Sequence, residues 1–212
     1  MKITALQQQE KHPWRTSIFL DGRFWKAYDT DIIAELGLHE GQRFTLEELD
    51  QLINSLEKRR AVDRAVLLLS YRSRSVHEVS SRLKKAGFAP NIIEEAIGKL
   101  KDLGYLNDDN FARAWMNGRM SSNLYGKRRI KQELRLKGVP DEIISSAFEE
   151  SLSEEDEYAR AKELAETKLP SYKGIDKNVI YRRLSQFLLR RGYSSSVVYD
   201  VCKDIIRNEG LE

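Results

Sequence analysis

The apolar positions of the chain fall into three similar frames, each centred on a glycine: Gly87, Gly138 and Gly192. Four residues before each glycine stands a leucine (Leu83, Leu134, Leu188), and eight before it another aliphatic residue (Val79, Ile130, Leu184). One residue after come Phe88, Val139 and Tyr193, and five and six after come Ile92/Ile93, Ile143/Ile144 and Val197/Val198. Ten after come Ile97, Phe148 and Cys202. Spacings of four on both sides of a glycine predict two short amphipathic helices joined by a turn. Glycine suits that turn because a helix often closes on a left-handed residue, a conformation that penalises any Cβ. The frame recurs about every 50 residues, within the range of helical repeats that bury their cores against one another. A leading helix precedes each pair, over 62–71, 109–120 and 154–168, with alanines at Ala61/Ala65, Ala112/Ala114 and Ala159/Ala161. Three helices in each of three repeats make nine, with Ser75 and Glu78 as a capping box and Asn107 or Asp108 as a further cap.

The first 60 residues have a different pattern. Residues 14–20 and 23–28 are rich in β-formers and flank Asp21-Gly22, a strong tight-turn pair, so they predict a hairpin with 3–8 as a third strand. A short helix over 29–36 ends at Gly37, and a second opens at a Thr45/Glu48 capping box and runs to about Lys58. The expected organisation is a β-containing module over 1–60 and three-helix repeats over 61–106, 107–153 and 154–212.

Charge is segregated in step with this repeat. Arg113, Arg119, Lys127, Arg128, Arg129, Lys131, Arg135 and Lys137 are opposed over that stretch only by Glu133. Lys177, Arg182, Arg183, Arg190 and Arg191 have no acid among them, whereas Glu149, Glu150, Glu154, Glu155, Asp156 and Glu157 gather between the second and third repeats. Ile130 and Leu134 face the core, so Lys127, Arg128, Lys131 and Arg135 make a basic ridge on one helix. Arg72, Arg74, Arg82, Lys84 and Lys85 in the first repeat, and Arg182, Arg183, Arg190 and Arg191 in the third, occupy comparable places. With Arg129 and Lys137, these are the candidate binding residues, suited to an acidic protein surface or a phosphate backbone. Trp115 and Tyr125 are candidates to join them, although a tryptophan in a leading helix belongs first to the core.

Catalytic chemistry has no constellation here. His12, His39 and His77 share no metal spacing, and the phosphate-binding glycine loops and the nucleophile elbow are absent. Asp108 and Asp109 read as helix-start residues before they read as a metal pair. Cys202, the lone cysteine, takes an apolar position of the third frame and is expected to be a buried small hydrophobe. The N-terminus lacks the apolar core of a secretory signal and no run spans a bilayer, so a cytoplasmic protein without membrane contact is expected. No cofactor and no enzymatic activity are expected.

The first frame contains Arg72-Ser-Arg74-Ser75-x-x-Glu78, followed by Leu83 and Gly87. Gly104-Tyr105-Leu106-Asn107-Asp108-x-x-Phe111-Ala112 comes after it, and then Gly126-x-x-Arg129-Ile130-x-x-Glu133-Leu134-x-x-x-Gly138. With these motifs the chain resembles the RecX family, bacterial regulators of the RecA recombinase. It departs at Val79, where leucine is expected, and in the third frame, which lacks the glycine-basic opening. The resemblance implies a mainly α fold of three tandem three-helix repeats forming an elongated, curved array, with the small β-hairpin-containing module at its N-terminus. It also implies a monomer lying in the groove of the RecA–DNA filament, clamping adjacent subunits and inhibiting ATPase and strand exchange. Direct binding of single- or double-stranded DNA, and an adaptor role in another protein assembly, are the competing readings.

Overall fold

The structure, a computed structural model, describes residues 1–149 and 154–208. Glu150 and the side chains of Glu154 and Glu155, part of the acidic run read from the sequence, lie outside the described residues. The chain opens with an antiparallel sheet of three strands in the order β1 (Ile3–Gln8), β2 (Arg15–Leu20) and β3 (Arg23–Asp29). Asp21 and Gly22 both take positive φ, 47° and 81°, as a two-residue hairpin turn requires. Helix α1 (Thr30–Glu35) is next. Helix α2 (Leu46–Tyr71) begins at the expected box: Thr45 Oγ1 accepts the Glu48 amide at 3.1 Å, and the Glu48 carboxylate accepts the Thr45 amide at 2.8 Å.

Helix α2 corrects one expectation. The helix read as ending near Lys58 and the leading helix of the first repeat are one continuous helix of 26 residues. Glu57-Lys58-Arg59-Arg60-Ala61 supplies good helix formers and no glycine or proline, so nothing breaks the backbone between them. Leu49, Ile53 and Leu56 of its first half close the module's core with Ile3, Ile18 and Leu20. Ala61, Val62 and Ala65 of its second half are buried as well.

The remaining elements are α3 (Val76–Lys85), α4 (Pro90–Asp102), α5 (Asp108–Asn123), α6 (Lys127–Leu136), α7 (Asp141–Glu149) and α8 (Glu154–Lys168). A 3-10 turn (Leu169–Tyr172), α9 (Lys177–Arg191) and α10 (Ser195–Asn208) complete the described chain. The fold is thus mostly helical, with three three-helix domains and a small N-terminal sheet. Backbone contacts divide the chain into two compact units, Met1–Arg72 with Val79–Tyr105, and Ser73–Glu78 with Leu106–Glu212.

The frame positions pack as their spacing predicts. Val79, Ile130 and Leu184, together with Leu83, Leu134 and Leu188, are all wholly buried. In the second unit one core gathers Phe111, Met116, Ile130, Leu134, Ile144 and Phe148; another gathers Ala161, Leu184, Leu188, Tyr193, Val198 and Cys202. Burial pushes the Cys202 thiol above its ordinary pKa, and Ser185 Oγ lies 3.4 Å from its sulfur, so Cys202 is the small buried residue expected.

Candidate partner-binding surface

The three glycine turns share one geometry. Gly87, Gly138 and Gly192 have φ of 92°, 73° and 92°. In each turn the following amide reaches back to the leucine four residues before the glycine: Phe88 to Leu83 (3.3 Å), Val139 to Leu134 (3.1 Å) and Tyr193 to Leu188 (3.3 Å). This is the six-to-one closure of a Schellman motif.

In the second unit, two of these turns dock onto the N-terminus of another helix. The Gly192 turn meets the start of α6, where the Gly126 amide donates to Arg191 O (3.0 Å) and the Arg128 amide to Gly192 O (3.1 Å). A Cβ on Gly126 would overlap the Gly192 backbone, and one on Gly192 would overlap Arg129. The Gly138 turn meets the residues that open α3, with Ser75 Oγ donating to Lys137 O at 2.5 Å and His77 filling the space a Cβ on Gly138 would need. Ser75 also forms the predicted box with Glu78, and Asp108 accepts the Val76 amide at 2.9 Å. At the Gly192 turn orphan amides of one helix N-terminus and orphan carbonyls of a helix C-terminus thus satisfy one another, whereas at the Gly138 turn the donor is the N-cap hydroxyl of Ser75. Asn107 caps α5 through Asn110, and Asp109 is bound to Arg113 at 2.8 Å, which holds its carboxyl below the usual range. Among the described residues no group of His, Cys, Asp or Glu could hold a metal ion.

The ridge cations divide into those tied to the fold and those projecting from it. Lys137 pairs with Glu78 at 3.2 Å and lies 4.1 Å from the Trp115 ring centre; Lys127 pairs with buried Glu157 at 3.5 Å; Arg135 pairs with Asp141 at 2.7 Å. Glu133 collects Arg119 (2.9 Å), Arg129 (3.4 Å) and the Trp115 indole N–H (3.0 Å). Tyr125 stacks under Arg129, at 4.2 Å, and Arg191, at 5.4 Å. Trp115 therefore packs on the core and meets the cations too. Glu133 is a hub that sequence reasoning misses, although its being the single acid in a basic stretch marks it.

Lys131 lies over the Phe148 ring at 5.1 Å. Arg128, Arg182, Arg183 and Arg190 are exposed, with no ion pair among the described residues. In the first repeat Arg82, Lys84 and Lys85 close α3, where cations suit the helix dipole, and all three are exposed. Arg72 and Arg74 lie within the break between α2 and α3.

Arg128, Arg129 and Gln132 of α6 face Leu189 and Arg190 of α9 across a cleft of about 510 Å³. Leu136, 78% exposed, and Leu189, 44% exposed, give it apolar walls between the arginines. Tyr193 forms part of the lining; its hydroxyl donates to Leu124 O at 2.8 Å, and burial pushes the phenol up to about 12. The arrangement offers cationic and apolar groups at once and no reacting set.

No helix among the described residues is long and apolar enough to cross a membrane. Models of the first, second and third three-helix domains of RecX match residues 61–100, 107–147 and 154–202. "Regulatory protein RecX" of Bacillus subtilis is 33% identical over 92% of this chain and 74% of its own. Its namesake from Caldanaerobacter subterraneus is 32% identical over 91% of this chain and 94% of its own. A crystal structure of RecX from Lactobacillus salivarius superposes with a TM-score of 0.66 at 25% identity, covering 71% of this chain and 97% of that one. Another regulatory protein RecX, with a TM-score of 0.67 at 24% identity, shares the fold over 96% of this chain and 98% of its own. The chain belongs to the RecX family of regulatory proteins.

Proposed function

We propose that this protein binds the RecA–DNA filament along its groove as a monomer, and inhibits ATPase and strand exchange by clamping adjacent subunits. The repeats over 61–106, 107–153 and 154–212 act as the gripping domains, with 1–60 as an accessory module. The observation that carries this reading, beside membership of the family, is the arginine-and-leucine cleft between α6 and α9. Its exposed leucines suit a protein surface that brings apolar groups with its acids, whereas a phosphate backbone engages the arginines alone. The other basic candidates enlarge the same positive field, which speeds encounter with an acidic partner. A clamp shifts the filament only by favouring one subunit geometry over the rest.

The test is the DNA-dependent ATPase of the cognate RecA, titrated with this protein at physiological salt. Inhibition at amounts well below one per RecA subunit is the expected result. An unchanged ATPase, with steeply salt-dependent binding to bare DNA, would instead favour the nucleic-acid reading.

A further inference from the structure

Two of the three equivalent glycine turns receive a helix N-terminus. The third, at Gly87, has the same form, and among the described residues no helix start docks on it. At the docked turns the carbonyl one residue before the glycine takes a donor: Lys137 O from Ser75 Oγ, Arg191 O from the Gly126 amide. The equivalent carbonyl is that of Ala86, and among the described residues no donor reaches it or Gly87 O. The space that His77 and Arg129 fill beside Gly138 and Gly192 is open at Gly87, where a Cβ would meet nothing within 4 Å. Ala86 and Gly87 form part of the wall of a cleft of about 780 Å³, faced by Trp14, Asn54, Glu57 and Asn91.

We propose that the Gly87 turn is a third copy of this socket and receives the N-terminal turn of an α-helix on the protein partner, with serine, threonine or glycine at its N-cap. The chemistry is that of the two internal junctions. The C-terminal end of α3 carries the negative pole of its dipole and orphan carbonyls, and the first turn of a helix carries the positive pole and orphan amides. Asp29, Asp50 and Glu57 outweigh Arg15 and Lys26 in the cleft walls, and Lys26 is already bound to Asp50 at 2.7 Å, so these walls, unlike Arg82, Lys84 and Lys85 in the last turn of α3 itself, favour a positive guest.

A second copy of this chain does not suit the socket. Continuing the repeat from one copy to the next would bring the start of α9 against Gly87. The α9 N-cap is Asp176, whose carboxylate already takes the Asn178 amide at 2.9 Å and the Val179 amide at 3.3 Å. The amide that Arg128 supplies at the start of α6 corresponds to Asn178 in α9, and it is spent internally. Asp176 would also bring an acceptor to the acceptors of the turn. The guest is therefore a helix of another protein, and this step rests on the RecA filament being the partner.

The experiment attaches a photoactivated benzophenone to Ala86→Cys; buried Cys202 does not compete for the label. The labelled protein is bound to the RecA filament on single-stranded DNA, irradiated, and the joined peptide identified by mass spectrometry. The expected product joins position 86 to the first turn of a RecA helix. An Ala86→Trp variant, bulky at an exposed position, is expected to need about tenfold more protein for half-inhibition with unchanged circular dichroism, the loss of one or two hydrogen bonds. Cross-links confined to a RecA strand or loop, to DNA or to a second copy would overturn the socket, as would an Ala86→Trp variant that inhibits at the wild-type concentration. A wild-type chain that does not bind the filament removes both readings together, whereas inhibition without the helix cross-link removes the socket alone.

Discussion

The turns at Gly192 and Gly87 have the same φ and the same six-to-one hydrogen bond, yet glycine is needed at them for different reasons. At Gly87 the requirement is conformational: a side chain there would meet no atom, and only the left-handed backbone penalises it. At Gly192 a side chain would also collide with Arg129, because α6 begins where its Cβ would be. The local turn is thus a property of the repeat, while docking depends on whether a neighbouring helix starts against it. A repeat protein holds together because neighbouring units supply each other's missing hydrogen bonds, and a turn facing no neighbour keeps its form without that task.

The sharpest way to break the comparison is Gly192→Ala. Left-handed strain and overlap with Arg129 add to a loss of about 3 kcal/mol in the second unit. Urea unfolding measures it, and hydrogen exchange at the Gly126 and Arg128 amides, which donate across the junction, should accelerate first. Next is the surface beside that junction. Arg128→Glu with Arg190→Glu should raise the concentration for half-inhibition of RecA ATPase about 30-fold, close to 2 kcal/mol, at unchanged helicity. Inhibition at wild-type concentrations by this folded variant would remove the cleft as the gripping surface.

Tyr193→Phe tests the same junction from below. It deletes the donor to Leu124 O and leaves that carbonyl unpaired, a loss of about 1–2 kcal/mol by urea unfolding. A pH effect accompanies it. Burial raises the Tyr193 phenol from 10.0 to about 12, and the hydrogen bond to Asp204 does the same for Tyr158. A phenol raised in the fold contributes stability that is complete below pH 10 and is lost as pH rises through about 12. The second unit should weaken across that window, and Tyr193→Phe with Tyr158→Phe should flatten its decline. Tyr28, raised by burial in the first unit, keeps its own alkaline sensitivity in the double variant.

Much of this was legible in the chain. The frame positions report directly on burial because each helix has a single apolar face, and the caps at Thr45, Ser75 and Asn107 arise from short side chains that bond nearby amides. The fusion of two predicted helices into α2 was less visible: its two halves bury different faces, so the apolar period shifts at Lys58 although the backbone continues. The binding candidates were legible only as a field of charge. Whether a cation projects or is spent depends on acids distant in sequence: Lys137 is held by Glu78 and Lys127 by Glu157, and no local pattern announces such pairs. The docking of Gly192 on Gly126 was hidden for the same reason, since a glycine that needs only positive φ and one that also needs space look identical in a sequence.

Gly87→Ala completes the series with the smallest effect and separates those two needs. Only the left-handed backbone resists the substitution, so it should lower first-unit stability by about 1 kcal/mol. The difference of about 2 kcal/mol from Gly192→Ala is then the energy of close approach to a docked helix, measured at two turns of one molecule. Urea unfolding followed separately for the two units reads it. Equal losses at the two positions would mean that the Arg129 backbone yields to a methyl group, and that the hydrogen bonds, not the fit, hold the junction. Because a methyl at Gly87 would also stand where an incoming helix turn should lie, the same variant should inhibit RecA less well than its small stability loss accounts for.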